Sequence, residues 1–183
     1  DRDGVINEEV NQLINHKDFK LIDGSSKAIK KLNESNFLSI VVTNQPAVAK
    51  GFCDLNDILL IHKKMETILG EMGTKLDSIF FCPHHPEKGF PNENKDFKIE
   101  CDCRKPEMGM LSKAKRIFNI DFPSSYIVGD STSDIVAGKR AGVKTILVRT
   151  GYAGKDNKYD VKADYVVDNL LDAVEKIILK EKK

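Results

Sequence analysis

Runs of consecutive apolar residues alternate along this chain with stretches whose apolar positions recur every three or four residues. Runs of the first kind mark strands buried on both faces, and the second kind marks amphipathic helices. Asp23-Gly24-Ser25-Ser26 has the chemistry of a helix start, and the spacing predicts a helix from there to about Asn36. Residues 37–43 are apolar and β-branched and predict a buried strand. Asp54 is placed to cap a second helix, with Leu55, Ile58, Leu59, Met65, Ile68 and Leu69 on one broad apolar face. Residues 76–82 predict the next strand, and 108–118 a helix with Leu111, Ala114 and Phe118 on one side. A strand over 125–129, a helix over 134–141 closed by Gly142, and a strand over 143–148 follow. Residues 149–162 read as a loop bearing glycine and lysine. A short strand over 165–167, a helix over 170–179 and a solvated end over 180–183 complete the pattern.

This order of strands and helices, with strands apolar throughout, implies an α/β fold: a Rossmann-like three-layer sandwich around a mainly parallel central sheet. The 183 residues suit a single domain over 1–183, with no room for a large cap domain. In such folds ligands sit beyond the carboxyl ends of the strands. The chemistry is therefore expected at Thr43-Asn44-Gln45, Cys82-Pro83-His84 and Gly129-Asp130-Ser131.

With 40% hydrophobic and 31% charged residues, the composition fits a soluble globular chain and excludes a disordered one. Twenty-nine basic against 28 acidic residues leave a net charge of +1, so there is no bulk attraction to nucleic acid or to an anionic membrane. A local basic site for a small phosphorylated ligand remains open. Apolar runs fall far short of the roughly 18 residues a membrane span needs, and no basic stretch leads into an apolar core. The four cysteines, Cys53, Cys82, Cys101 and Cys103, are too few for a disulfide-stapled scaffold. The cytoplasm is the expected compartment, where clustered cysteines point to metal or catalysis.

Four short motifs sit at the predicted strand ends. In Asp1-Arg2-Asp3-Gly4 two carboxylates can point into one small volume, one attacking phosphorus while the other handles the leaving-group proton. The same quartet also suits an ordinary turn. Thr43-Asn44 offers a hydroxyl and an amide for a phosphate oxygen, or a hydrogen-bonded turn. Arg104-Lys105-Pro106 brings two cations to a helix start, where free N–H groups also favour an anion. In Gly129-Asp130-Ser131-Thr132-Ser133-Asp134, Asp130 could ligate Mg²⁺, while Asp134 could be merely a cap.

In this order and at these positions, the four motifs resemble the haloacid dehalogenase superfamily of phosphatases, whose motifs read Asp-x-Asp, Ser/Thr, Lys and Gly-Asp-x-x-x-Asp. The resemblance covers nearly the whole chain. It implies that Asp1 is the nucleophile and forms an aspartyl-phosphate. It implies that Asp3 is the general acid and then the base that activates water. Thr43 and Lys105 would neutralise the transferring phosphoryl group, and Mg²⁺ would be held by Asp1, the backbone carbonyl of Asp3, and Asp130. The electrostatics agree, because a phosphoryl dianion and a carboxylate nucleophile repel unless cations lie between them.

Residues 83–106 have no clear period and hold four of the six prolines; loops that long inside a compact domain are usually functional. Cys82-Pro83-His84-His85-Pro86 is followed, with sixteen residues between His84 and Cys101, by Cys101-Asp102-Cys103. Three thiolates and an imidazole suit tetrahedral structural Zn²⁺. The loop has only Phe90, Phe97 and Ile99 to bury, so metal would order it. His85 competes with His84 as the fourth ligand, and free thiols are the alternative; the resemblance favours His84. Cys53 reads as an ordinary thiol, and His16 and His62 as surface residues.

Cys-x-His…Cys-x-Cys-Arg-Lys-Pro is similar to one subgroup of that superfamily, the heptose 1,7-bisphosphate 7-phosphatases and histidinol phosphatases. The long zinc loop, Thr43-Asn44-Gln45 with Ala49-Lys50-Gly51, and Gly109-Met110-Leu111 resemble the heptose enzymes more. That resemblance implies a small phosphorylated sugar as substrate, contacted by Arg104, Glu9, Gln12, Asn44 and Gln45, and a monomer. Histidinol phosphate is the rival substrate, and a phospho-acceptor module without turnover is the rival class. Pro46-Ala47, Met108 and Ser131 depart from the pattern, and Pro46 removes an N–H that could meet a phosphate. The polar start at Asp1 leads to the expectation of an upstream strand of about ten residues or fewer. Were Asp1 the true first residue, its α-ammonium would sit beside the nucleophile and little activity would be expected.

Overall fold

A computed structural model describes residues 1–181 of the chain. Helix α1 (Ser25–Asn33) leads into β1 (Ile40–Asn44), and α2 (Leu55–Glu71) leads into β2 (Ser78–Cys82). After the long loop come α3 (Gly109–Phe118), β3 (Tyr126–Gly129), α4 (Thr132–Ala141), β4 (Lys144–Val148) and β5 (Tyr165–Val167). Helix α5 (Leu170–Asp172) continues as a π-helix over Ala173–Ile178. Part of the solvated end predicted over 180–183 lies outside the described residues.

All the strand ladders are parallel, as the alternating order requires. They form two groups rather than one continuous sheet: β1 with β2, and β3 with β4 and β5. Ile40 lies opposite Ser78 and Asn44 opposite Cys82, while Val128 lies opposite Ile146. Between the groups is an apolar cavity of about 410 Å³, lined by Val41, Val42, Leu111, Phe122, Ile127 and Val128. Asp1 and Val5 also line it, and the backbone nitrogen of Asp1 donates to the Val128 carbonyl at 2.7 Å. The opening segment is therefore seated at the carboxyl end of β3. There the Arg2 carbonyl accepts from the N–H groups of Val5, Ile6 and Asn7, folding the segment into a tight turn.

The boundaries move for local reasons. Helix α1 stops at Asn33, where the Ser35 hydroxyl caps the Leu32 carbonyl at 2.6 Å. Strand β1 starts late, because the Ser39 N–H goes to the Asp77 carboxylate at 2.7 Å. Helix α4 starts early, at Thr132, because Ser131 and Asp134 form a reciprocal capping box. Asp54 caps α2 in the same way with Asp57.

The face of α2 differs from the expected one. Ile58, Ile61, Met65 and Leu69 are fully buried, whereas Leu55 and Leu59 are exposed. The stripe at i, i+3, i+7 and i+11 fixes the rotation of the helix, since each such buried side chain contributes about 1.5–3 kcal/mol. That rotation also corrects the reading of His62 as a surface residue: it falls on the buried face, edge-on to Phe81 at 5.2 Å. Helix α3 packs on β1 and β2, and α4 on β3 and β4. No helix among the described residues is long and apolar enough to cross a membrane.

Candidate active site and metal centre

The ends of β1 and β3, the opening segment and the Arg104-Lys105 turn surround a polar cavity of about 210 Å³. Asp1, Asp3, Thr43, Lys105 and Asp130 line it, and so do Glu9, Gln12, Asn44, Gln45 and Arg104. Residues expected at separate strand ends are thus brought to one place, as the parallel ladders dictate.

At the floor, carboxylate oxygens of Asp1, Asp130 and Asp134 all lie within 4.8 Å of one another. Lys105 Nζ, itself buried, donates to the Val42 carbonyl at 2.8 Å and to Asp134 Oδ1 at 2.5 Å, and pairs with Asp1 Oδ2 at 3.0 Å. Asp1 Oδ1 accepts the Arg2 N–H at 2.6 Å. Burial pushes the Asp130 carboxyl up to about 7, with the Asp134 charge adding and the Tyr152 N–H opposing. Burial also pushes Asp134 up, but the Lys105 ammonium outweighs it and holds that carboxyl below its ordinary value. Asp134 is therefore both the helix cap suggested by sequence and the partner of Lys105. Three carboxyls facing one ammonium leave an excess of negative charge, which adds to burial in raising the Asp130 carboxyl. A divalent cation with oxygen ligands answers both that charge and that chemistry, so the donor set fits Mg²⁺.

Asp3 is outside this cluster. Its carboxylate accepts from Arg2 Nη2 at 2.7 and 2.8 Å, from Asn7 Nδ2 at 2.9 Å and from Gln45 Nε2 at 2.8 Å. Burial raises it, but the Arg2 guanidinium and these hydrogen bonds prevail and hold it below the ordinary carboxylate value. Asn44 exchanges both amide hydrogen bonds with the Lys105 backbone, at 3.0 Å each, which ties the end of β1 to the cationic turn. Gln45 also donates to Thr43 Oγ1 at 2.9 Å. Both amides line the cavity but are committed to protein partners.

Behind Arg104 lies the cysteine cluster. Cys82, His84, Cys101 and Cys103 present donor atoms 3.1–3.7 Å apart along five of the edges of a tetrahedron. Four donors at roughly 2.3 Å from one ion would stand roughly 3.7 Å apart, so the cluster fits Zn²⁺ and leaves no coordination position open. Burial pushes the Cys103 thiol up to about 11, and Cys82 further. His85 is not in the cluster; its ring turns to the polar cavity and to Phe90. The loop is pinned by Asn94 N–H to the Ala49 carbonyl at 3.0 Å, and Arg104 Nη1 donates to the His84 carbonyl at 3.2 Å. Cys53 lies elsewhere, half-buried on a separate cleft, with its thiol pushed up to about 11 by burial and then by Asp57 and Asp54.

Comparison with known proteins adds to this geometry. The HAD-hydrolase-like family matches residues 102–173. The D-glycero-beta-D-manno-heptose-1,7-bisphosphate 7-phosphatase of Haemophilus ducreyi is 39% identical over 176 residues, covering 95% of this chain and 93% of that protein. Its counterpart in Escherichia coli is 36% identical over the whole chain and 93% of its own length. The chain belongs to the D-glycero-D-manno-heptose-1,7-bisphosphate 7-phosphatase family. A crystal structure of the D,D-heptose 1,7-bisphosphate phosphatase of B. bronchiseptica, complexed with magnesium and phosphate, superposes with a TM-score of 0.84 at 30% identity, covering 98% of this chain and 96% of that one.

In this member of the heptose-bisphosphate phosphatase family, the cavity thus holds an acidic cluster around one buried ammonium, with the Asp3 carboxyl beside it. Sequence reasoning missed Arg2, whose guanidinium is fully buried against Asp3, and Asn7. The available signal was a cation placed between two candidate catalytic carboxylates. It also missed the rim, where Lys50 and Lys158 stand with Arg104. Burial pulls the Lys50 ammonium down, and Arg104, Lys158 and Lys98 pull it further against Glu87.

Proposed function

We propose that this chain is a Mg²⁺-dependent phosphatase that removes the 7-phosphate of D-glycero-D-manno-heptose 1,7-bisphosphate through an aspartyl-phosphate on Asp1. The observation that carries the reading is the convergence of Asp1, Asp130 and Asp134 on Lys105 at the floor of the cavity. Asp1 and Asp130, with the backbone carbonyl of Asp3, would hold Mg²⁺. Bound there, the ion neutralises phosphoryl oxygens and orients them for in-line attack.

An oxygen of Asp1 attacks phosphorus, the P–O bond to the sugar breaks, and the fraction of Asp3 that carries a proton against the pull of Arg2 gives it to the departing oxygen. The Lys105 ammonium, 3.0 Å from Asp1 Oδ2, offsets negative charge beside the incoming dianion. Water then attacks the phosphorus, its proton passes to Asp3, and the bond to Asp1 breaks to release phosphate. The water step thus returns to Asp3 the proton that the first step used. Lys50, Arg104 and Lys158 at the rim match a substrate with a second phosphate. Glu9 and Gln12 also line the cavity and would meet sugar hydroxyls.

Cys82, His84, Cys101 and Cys103 would hold a structural Zn²⁺ that fixes the loop behind Arg104. The reading also places a one-domain monomer in the cytoplasm, where these free thiols persist. Relatives are named for both the beta and the alpha anomer, so both belong in the assay. Phosphate release is expected from heptose 1,7-bisphosphate with Mg²⁺, lost in Asp1→Asn, at a kcat/KM well above that for histidinol phosphate. Equal or better turnover of histidinol phosphate overturns the substrate, and release that survives Asp1→Asn overturns the mechanism.

A further inference from the structure

We infer that Arg2 and Gln45 are a positioning pair, which aims the Asp3 carboxyl at the leaving-group oxygen and the Thr43 hydroxyl at the phosphoryl group. The inference rests on the phosphatase reading above and extends it to two residues that touch no reacting atom.

The Arg2 side chain is 0% exposed, and its counter-charge is the Asp3 carboxylate. Burying a guanidinium costs several kcal/mol in an apolar interior, so a purely structural position would be better filled by an apolar residue. The turn does not need the guanidinium, because the Arg2 backbone carbonyl closes it by accepting from residues 5, 6 and 7. What the guanidinium does is grip both oxygens of Asp3 through Nη2, at 2.7 and 2.8 Å. Asp3 keeps 21% exposure, on the side of the cavity. A group that gives a proton in one step and takes it back in the next must hold its geometry to within a fraction of an ångström, and a two-oxygen grip supplies that.

Gln45 connects the two halves of the reaction. Its Oε1 accepts from Arg2 Nη2 at 3.1 Å, and its Nε2 donates to Asp3 Oδ2 at 2.8 Å and to Thr43 Oγ1 at 2.9 Å. Because Thr43 accepts this hydrogen bond, its own O–H is left to point elsewhere, and the cavity is beside it. One buried amide thus sets the hydroxyl that meets the phosphate and steadies the carboxyl that meets the leaving group.

The step affected is cleavage of the P–O bond to the leaving group, with the proton passing from Asp3 to that oxygen. A sugar alkoxide needs the proton; p-nitrophenolate does not. The test is kcat/KM, which reports steps up to release of the alcohol, on heptose 1,7-bisphosphate and on p-nitrophenyl phosphate. Arg2→Lys is expected to lower the sugar value by about 100-fold and the nitrophenyl value far less, as general-acid contributions of 10²–10⁴ predict. Gln45→Leu should show the same bias, with some loss on both substrates through Thr43. In an Asp3→Asn background, Arg2→Lys should cost almost nothing more, because its effect passes through Asp3. Equal losses on both substrates, or full additivity with Asp3→Asn, would make Arg2 merely structural and overturn the inference. If the unsubstituted protein hydrolyses neither ester, the phosphatase reading itself fails, and the pair falls with it.

Discussion

Lys105 holds the charge balance of the site. Its ammonium donates to the Val42 carbonyl and to Asp134 and pairs with Asp1 at 3.0 Å, all inside the protein. Lys105→Met would keep the stem and delete the charge, leaving two carboxylates facing each other without a cation. Breaking a buried pair from one side costs about 3–5 kcal/mol, and losing one preorganised electrostatic contact costs about 10²–10³ in kcat. We expect both losses, read by urea unfolding and by phosphate release; a variant within tenfold of normal kcat would leave Lys105 only a structural role. Thr43, Lys105 and Asp130 were legible in the sequence because each follows a predicted strand or precedes a predicted helix, and Asp1 because a second carboxylate stands two residues on. Asp134 was half legible: its capping chemistry is local, but its pairing with Lys105 spans 29 positions and needs the fold. Arg2 was not legible, since an arginine between two aspartates reads equally well as a solvated turn. Asn44 and Gln45 were placed at the right strand end, yet their amides turned out to be occupied by Lys105, Asp3, Thr43 and Arg2.

The long loop and α2 show how far single elements depend on partners outside themselves. Cysteine spacing made the Cys/His cluster visible, although the loop offers no periodicity to read. Its order should depend on the ion, because few apolar side chains hold it down. Removing Zn²⁺ with a chelator, or substituting Cys103→Ser, should lower Tm by at least about 5 °C, as a loss of a few kcal/mol does in a chain this size. It should also open residues 86–99 to proteolysis and lower kcat/KM, because Arg104 loses its anchor at the His84 carbonyl. A metal-free protein with unchanged Tm and protease resistance would show that the thiols do not need the ion. In α2, periodicity predicted the helix, but not which stripe faces inward, and His62 was misplaced with the exposed residues. Burial, and then the Arg2 charge, pull the His62 imidazole down from 6.5 to about 3. The unfolded chain then binds a proton that the folded one refuses. Stability is therefore full above pH 6.5 and falls as the pH drops from 6.5 toward 3, by up to about 1.4 kcal/mol per pH unit. Denaturation series at pH 7, 6 and 5 should show this slope, and His62→Gln should flatten it; an unchanged slope would assign the protons to other groups.

Across the whole molecule, the site is made where distant segments touch. The alternation of strands and helices was enough to read parallel ladders and to locate the working end. It could not show that the strands divide into two groups across an apolar cavity, because pairing between β1 and β3 is decided by what lies between them. Nor could it show the contact that joins the opening turn to the loop after β4. There Gly4 and Gly151, both at positive φ, close on Asp130 from two sides. A Cβ on Gly151 would lie 2.1 Å from Asp130 Oδ2 and 2.7 Å from the Gly4 Cα. Backbone cannot yield there easily, since the Thr150 hydroxyl donates to the Gly4 carbonyl at 2.6 Å and the Tyr152 N–H to Asp130 at 2.7 Å. Gly151→Ala should therefore move the Asp130 carboxylate and raise the Mg²⁺ concentration for half-maximal activity about 10–100-fold, the cost typical of disturbing a ligand's supports. Activity at saturating Mg²⁺ should recover most of its value. The strain of an L-residue at positive φ, about 1–3 kcal/mol, acts on stability in any such variant and needs a control. Gly73 supplies it: its φ is +70° and a Cβ there would meet nothing within 4 Å. Gly73→Ala should share the stability loss and leave the Mg²⁺ dependence alone. An equal Mg²⁺ shift in both variants would mean that Asp130 is not the ligand the close packing protects.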